Sequence, residues 1–465
     1  MFFFYSTFLY SGSKSISIFI VEIEIGKRER NFIHYKRHKM STIKKKKVVV
    51  IGGGFAGVNL IKSLANDSRF QLTLVDKNNY HFFPPLLYQV STAFIEPSNI
   101  SYPFRRMFQG QENVRFHMGS MLNVNPEDKT VETDTGVLEY DYLVIAHGTE
   151  SNYFGMENVK NNSLPMKTID DALNLRNYLL LNMEKAIRMI DPVAKERMLN
   201  IVIAGGGPTG VEVAGMLAEM GGNIAKKEYP EIRDMKSHIY LIDAAPVLLG
   251  PMSKKSQNEA YEVLNDLGVK IILNTAVKDY VDGQVILGDG TSIHTNVFIW
   301  TSGVIGREVP GLPKEAVTRG RRLVVDQLNQ VKGLDGIYAI GDISFMDSDP
   351  GFPQGHPQLA QVAMQQGTLL GANLKRIEEG QTPQVFSYHD KGSMAIISKF
   401  HAVADLPKVF FKGFFAWVVW LLIHLIPLVG FRNKARLAAS WMWSFLTNDP
   451  TLRLILRPKS DTDKS

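Results

Sequence analysis

Short apolar, β-branched runs punctuate this chain, and two of them lead into the same kind of glycine-rich turn. Val48-Val49-Val50-Ile51 runs into Gly52-Gly53-Gly54-Phe55-Ala56-Gly57, and Ile201-Val202-Ile203-Ala204 runs into Gly205-Gly206-Gly207-Pro208-Thr209-Gly210. Apolar residues at helical spacing follow each turn. The pattern predicts a buried strand, a tight turn and a helix N-terminus, twice, with the turns 153 residues apart. A turn of this design brings backbone N–H groups and the positive end of a helix to one point, where they can hold a pyrophosphate.

A second pair of runs echoes the first. Asp141 to Ile145 ends in Ala146-His147-Gly148, and Asn296 to Trp300 ends in Thr301-Ser302-Gly303, 155 residues later. Both predict a buried strand closing on small residues where a sheet would meet its ligand. Gln71 to Asp76 and His238 to Asp243 read as the second strands of the two units. The chain therefore predicts an α/β fold of two related doubly wound modules, each Rossmann-like and each binding a dinucleotide. Two nucleotide sites in one chain imply electron transfer between two cofactors.

The acidic residues at the strand ends refine this. Asp76, with Lys77 beside it, is placed to accept the ribose hydroxyls of an adenosine. Asp243 is placed likewise and would repel a 2′-phosphate, which favours NADH over NADPH. The interval from Gly205 to Asp243 is longer than usual, and Gly221 to Lys236 reads as an insertion. Glu212 follows the second fingerprint on its helix, where the first fingerprint has Asn59, so the turn itself does not require an acid.

Asn79-Tyr80-His81-Phe82-Phe83-Pro84-Pro85-Leu86-Leu87-Tyr88-Gln89-Val90, with Pro97-Ser98-Asn99-Ile100 and Pro103-Phe104-Arg105, resembles the type II NADH:quinone oxidoreductases, from about residue 45 to about residue 450. The resemblance implies a glutathione-reductase-like pair of domains carrying non-covalent FAD and NADH. Residues 44–155 and 304–390 would build the FAD domain and residues 156–303 the NADH domain. It implies that Gly341-Asp342, at the end of the run Leu334 to Ile340, contacts the flavin ribityl–pyrophosphate region. It also implies that Glu212 orients the nicotinamide against the flavin and that Lys391 sets a positive charge near the flavin ring. Gln361 and Gln365, in the A-Q-x-A-x-Q segment that starts at Ala360, would donate to quinone carbonyls. On pattern alone the two glutamines fit a polar helix face equally well.

Residues 391–465 carry a different pattern, an apolar stretch from Gly413 broken by His424 and Pro427 and followed by Arg432, Lys434 and Arg436. Ala435 to Leu446 then sets Trp441, Trp443 and Phe445 among apolar residues, with Arg453, Arg457 and Lys459 beyond. Aromatic rings with basic flanks predict a helical pair lying in a membrane surface in preference to a spanning helix. The formal charge of +6 then fits an anionic membrane, and no nucleic-acid-reading motif accompanies it. The expected partner is a membrane quinone, menaquinone or ubiquinone, met on the cytoplasmic face of the cell membrane. A homodimer through the C-terminal region is a further expectation.

The chain has no cysteine. Electrons cannot leave through a dithiol, a persulfide or a cysteine-ligated cluster, which counts against sulfide:quinone oxidoreductases of the same fold. Two alternatives remain, a soluble flavin-dependent NAD(P)H reductase with another acceptor and an NADH-sensing flavoprotein scaffold. Residues 1–43 read as an N-terminal extension, a signal peptide or anchor being one reading of it and a start at Met40 the favoured one.

Overall fold

The computed structural model describes residues 45–221, 228–232, 237–447 and 453–455. The N-terminal extension with the start expected at Met40, most of the proposed insertion, and Arg457 and Lys459 lie outside the described residues.

The first module opens with β1 (Lys46–Ile51), α1 (Phe55–Leu64), β2 (Phe70–Asp76), β3 (Val114–Met118) and β4 (Tyr142–Ile145). The second holds β5 (Leu164–Pro165), α2 (Ile169–Ala186), β6 (Ile201–Ala204), α3 (Pro208–Met220), β7 (Ile239–Ile242), α4 (Lys254–Asp266), β8 (Lys270–Ile272) and β9 (Val297–Trp300). The chain then returns to the first module with β10 (Ile337–Ala339) and α5 (Ala360–Glu378). The first sheet has the order β10-β4-β1-β2-β3 and the second β5-β9-β6-β7-β8, all pairs parallel. β4 and β9, the echoed runs, occupy the same position in the two sheets, beside the fingerprint strand.

Burial on both faces explains the unbroken apolar runs. Val48 and Val50 pack with Leu60, Ile61 and Leu64 of α1, while Val49 and Ile51 face a different cluster with Leu143 and Ile145. In the second module Ile203 joins one core and Val202 and Ala204 another. A two-stranded antiparallel link, Thr149–Ser151 against Val304–Gly306, ties the chain leaving the first module to the chain returning to it.

The C-terminal region starts with an antiparallel meander, β11 (Ser393–Ser398), β12 (His401–Asp405) and β13 (Phe410–Lys412), followed by α6 (Gly413–Leu425) and α7 (Phe431–Thr447). α7 starts four residues earlier than the aromatic pattern suggested, because the basic residues form its first turns. Among the described residues no helix is long and apolar enough to cross a membrane. The 13 residues of α6 rise about 20 Å, short of a ~30 Å hydrocarbon core.

Candidate functional site

The two glycine turns are built alike down to their hydrogen bonds. In the first, the Gly53 N–H donates to Asp76 Oδ2 at 2.7 Å and the Asn78 N–H to Oδ1 at 2.8 Å. In the second, the Gly206 N–H donates to Asp243 Oδ2 and the Ala245 N–H to Oδ1 at 2.7 Å. Each aspartate thus fixes the turn from below. Burial pushes the Asp76 carboxyl above its ordinary range, and the two N–H donors only partly offset it.

Gly52 and Gly205 take φ of +104° and +113°, and a Cβ there would strike His147 and Thr301 of the neighbouring strand ends. Gly57 and Gly210 let α1 and α3 start against the backbone of the turn, where a Cβ would lie 2.1 and 1.8 Å from a carbonyl oxygen. Gly207, by contrast, faces open space and a Cβ on Gly54 would only touch Ala146 O at 4.0 Å, and neither helix has a side-chain N-cap. Two uncapped N-termini opening onto space are what a bound pyrophosphate needs. Gly148 at φ +70° also borders open space, and a Cβ on Gly303 would meet only the rim of Phe154. The residues present fit FAD in the first cradle and NADH in the second.

Gly341, at φ +74°, packs against Ala56 of α1 and Ala363 of α5, which sets Asp342 beside the first cradle. Its N–H donates to Gln366 Oε1 at 2.7 Å, while the buried Nε2 of Gln366 has no partner. Lys167 donates to Thr149 Oγ1 at 2.8 Å, and Thr149 in turn donates to Asp342 at 3.4 Å. Burial lowers the Lys167 ammonium, against the opposing pull of Asp342. The His147 ring is buried, and burial, with help from Arg307, pushes this histidine down to about 4 against the opposing backbone of Glu308 and Gly148. Lys167 and Arg307 were not legible as site residues in the sequence, because no local motif surrounds them, and His147 stood in the echoed strand-end motif without a role of its own.

Glu212 is almost fully buried on α3, and burial raises its carboxyl well above the ordinary range; the Ile396 N–H of β11 works the other way. α3 and β11 touch through backbone, since a Cβ on Gly215 would lie 1.7 Å from Ile397 O. Asn59, at the matching place in the first module, only returns its amide to Phe55 O at 2.7 Å. Strand β11 thus links Glu212 to the other expected residues.

Gln361 donates to Gly392 O and accepts from Lys391 N, each at 3.1 Å. Gln365 donates to His389 O at 2.9 Å and accepts from His389 N at 3.0 Å. Both amides clamp the backbone of residues 389–392 to α5, the segment that leads into β11. The sequence expectation assigned these two amides to quinone carbonyls; in the structure their partners are backbone groups of residues 389–392. The Lys391 side chain is exposed.

A buried polar chain joins the neighbourhood of Glu212 to α7. Trp441 Nε1 donates to Gln89 Oε1 at 2.7 Å, and Gln89 Nε2 donates to the Tyr88 hydroxyl at 3.0 Å. Tyr88 is fully buried, and its hydroxyl is pushed well up by burial and then by nearby Glu212.

Residues 46–367 match the family model of the pyridine nucleotide-disulphide oxidoreductases, and residues 390–448 match that of the NDH2 C-terminal domain. The type II NADH:quinone oxidoreductase Ndh of Mycobacterium tuberculosis is 34% identical over 416 residues, spanning 86% of this chain and 88% of its own. The type II NADH:quinone oxidoreductase of Staphylococcus aureus is 29% identical, spanning 77% and 89%. Among solved structures, NDH2 from Plasmodium falciparum in complex with NADH superposes with a TM-score of 0.82 at 21% identity, covering 89% of this chain and all of its own. The sulfide:quinone oxidoreductase of Aquifex aeolicus shares the fold more distantly, with a TM-score of 0.66 at 19% identity, covering 89% and 96%.

Proposed function

This chain belongs to the type II NADH:quinone oxidoreductases, which pass electrons from NADH through FAD to a quinone without pumping protons, and from that premise we propose how its own residues divide the work. The observation that carries the reading is the pair of open glycine cradles, each braced by an aspartate and both reached by the α3–β11–α5 connection.

FAD, when bound, supplies the hydride acceptor and the store of two electrons. The chain supplies position and charge. The N-termini of α1 and α3 hold the two pyrophosphates. Asp76 and Asp243 offer their remaining lone pairs to ribose hydroxyls, and Asp243 rejects a 2′-phosphate. Glu212, whose carboxyl burial pushes well above its ordinary range, would orient the nicotinamide from α3. Gln361 and Gln365 hold residues 389–392 in one conformation, which fixes where Lys391 and the quinone-side wall stand.

The membrane reading rests on α6, α7 and the turn between them, whose Phe415, Ile426 and Phe431 are 66%, 73% and 86% exposed. So much apolar surface beside Arg432, Lys434 and Arg436 fits an interfacial helical pair on the cytoplasmic leaflet, the side that NADH reaches. A second copy of the chain meeting the same region would give the homodimer.

Anaerobic NADH oxidation with a short-chain quinone tests the assignment, with NADPH in parallel and Gln361→Ala alongside. We expect fast turnover with NADH, at least tenfold slower turnover with NADPH, and in the variant a flavin that NADH still bleaches but quinone reoxidises slowly. Equal use of NADPH would remove Asp243 from its role, and unchanged reoxidation would remove Gln361 from the quinone side.

A further inference from the structure

Residues 152–155 follow the link strand Thr149–Ser151 and form a turn fastened to the end of β9. The Asn152 N–H donates to Gly303 O at 3.1 Å, and Trp300 Nε1 donates to Asn152 O at 2.8 Å. Inside the turn the Phe154 N–H donates to Asn152 Oδ1 at 2.9 Å. Tyr153 stacks on the buried Trp300 with ring centroids 5.9 Å apart, and Phe154 meets the same indole edge-on at 6.4 Å. The turn is therefore held rigid by backbone and rings together.

Within it, Phe154 is an unusual choice of residue. Its backbone is left-handed, with φ +51°, and its side chain is 62% exposed. Exposed left-handed positions normally carry Gly, Asn or Asp, and a bulky side chain there is strained. Gly155 beside it takes φ +80° without that strain. An aromatic ring is thus held out into solvent at a cost to both backbone and hydration. Strain of this kind persists where the surrounding structure over-determines it, and it gathers at ligand sites.

The ring stands at the second cradle. A Cβ on Gly303 would lie 3.6 Å from Phe154 Cζ. In the sheet, β7 and β9 flank the fingerprint strand β6 on opposite sides. Asp243, at the end of β7, marks the adenosine side, and the N-terminus of α3 after β6 marks the pyrophosphate. The other half of an extended dinucleotide must then run toward the end of β9, where Gly303 and Phe154 stand.

We infer that Phe154 is a binding residue for NADH, an aromatic wall against the nicotinamide–ribose half of the dinucleotide. The inference rests on the assignment of the second cradle to NADH and deepens it. Because the turn is fixed before NADH arrives, little ordering opposes the contact. Because the ring lies on the side away from Asp243, its loss weakens NADH and spares any ligand that ends at the pyrophosphate.

The test is anaerobic stopped-flow bleaching of the flavin-loaded protein across NADH concentrations, with ADP as a competitor that carries only the adenosine and pyrophosphate. Phe154→Asn removes the ring and keeps a residue suited to the left-handed backbone; Phe154→Tyr keeps the ring. We expect Phe154→Asn to need about tenfold more NADH for half-saturation, the effect of losing roughly half of a phenylalanine's burial. Its limiting rate should stay within about twofold of the parent's, as loss of uniform binding requires. Its inhibition constant for ADP should not change, and Phe154→Tyr should match the parent throughout. Phe154→Asn should also melt no lower than the parent, since the backbone strain is gone. Equal weakening of NADH and ADP would mean that the turn merely braces the cradle, and half-saturation at the parent's NADH concentration would mean that the ring meets no ligand. Either result overturns the inference, as does a weaker NADH affinity that comes with a lower melting temperature. A parent protein whose bleaching by NADH is not competed by ADP would instead overturn the assignment of the second cradle.

Discussion

Glu212 shows how one buried side chain can be tested through stability as well as catalysis. Its carboxyl titrates well above the ordinary range because burial penalises the charged form. A folded-state pKa raised above the unfolded one means stability is fully present below the unfolded value, near 4.3, and drains away as pH rises through the folded value. Glu212→Gln removes that drain. The variant should therefore melt a few degrees higher than the parent at pH 8 and nearly level with it at pH 5, in thermal scans of the flavin-loaded protein. Its kcat/KM for NADH should fall at least tenfold if the carboxyl also orients the nicotinamide. A parallel fall of both melting curves with pH would show that the carboxyl is not desolvated. Unchanged kcat/KM with a flattened stability profile would leave Glu212 a buried acid without a part in the reaction.

At the scale of elements, α3 does two jobs on two faces, and glycine permits both. Gly215 lets the helix touch the backbone of β11, while Gly207 leaves its N-terminus open to a ligand. Alanine at the two positions should separate the jobs. Gly215→Ala must displace either backbone and should cost about 3–5 kcal/mol, read as a clear drop in melting temperature with FAD still bound. Gly207→Ala meets nothing in the folded chain, so its melting temperature should match the parent's while KM for NADH rises about tenfold. Equal effects on stability would contradict the division.

The same helix marks the limit of what the sequence discloses. Its fingerprint, the strand before it and the echo at Asn296 to Gly303 were legible because each signal is contiguous and repeats the first module. The approach of Gly215 to Ile397, the clamp of Gln361 on residues 391 and 392, and the bond from Trp441 to Gln89 were not. They join elements far apart in the chain, and no local periodicity encodes which glycine or glutamine will face which backbone. Gln361 and Gln365 share a helix face by their spacing, but their backbone partners depend on where residues 389–392 return. Arg307 and Lys167 stand on connecting segments with no motif of their own, and only the fold brings them to Asp342 and His147.

Across the whole molecule, the electron path needs a soluble donor and a membrane acceptor to reach one flavin, so docking should be separable from chemistry. Phe414 and Phe415 are exposed on α6, away from both cradles, and their burial in a membrane surface would contribute about 1.5–3 kcal/mol each at full depth. Half of that burial for each ring corresponds to at least a tenfold change in vesicle partition for the pair. Phe414→Ser/Phe415→Ser should therefore sediment with vesicles at least tenfold more weakly. It should oxidise NADH at the parent rate with a short-chain quinone and much more slowly with a long-chain quinone held in the bilayer. Raising salt should weaken the parent's binding through its basic residues and leave the difference between parent and variant unchanged, because apolar burial is not screened. A variant that loses both quinone activities would point to damage at β12 and β13, on which α6 packs. One that sediments like the parent would move the docking face away from α6, and with it the route by which quinone reaches the flavin.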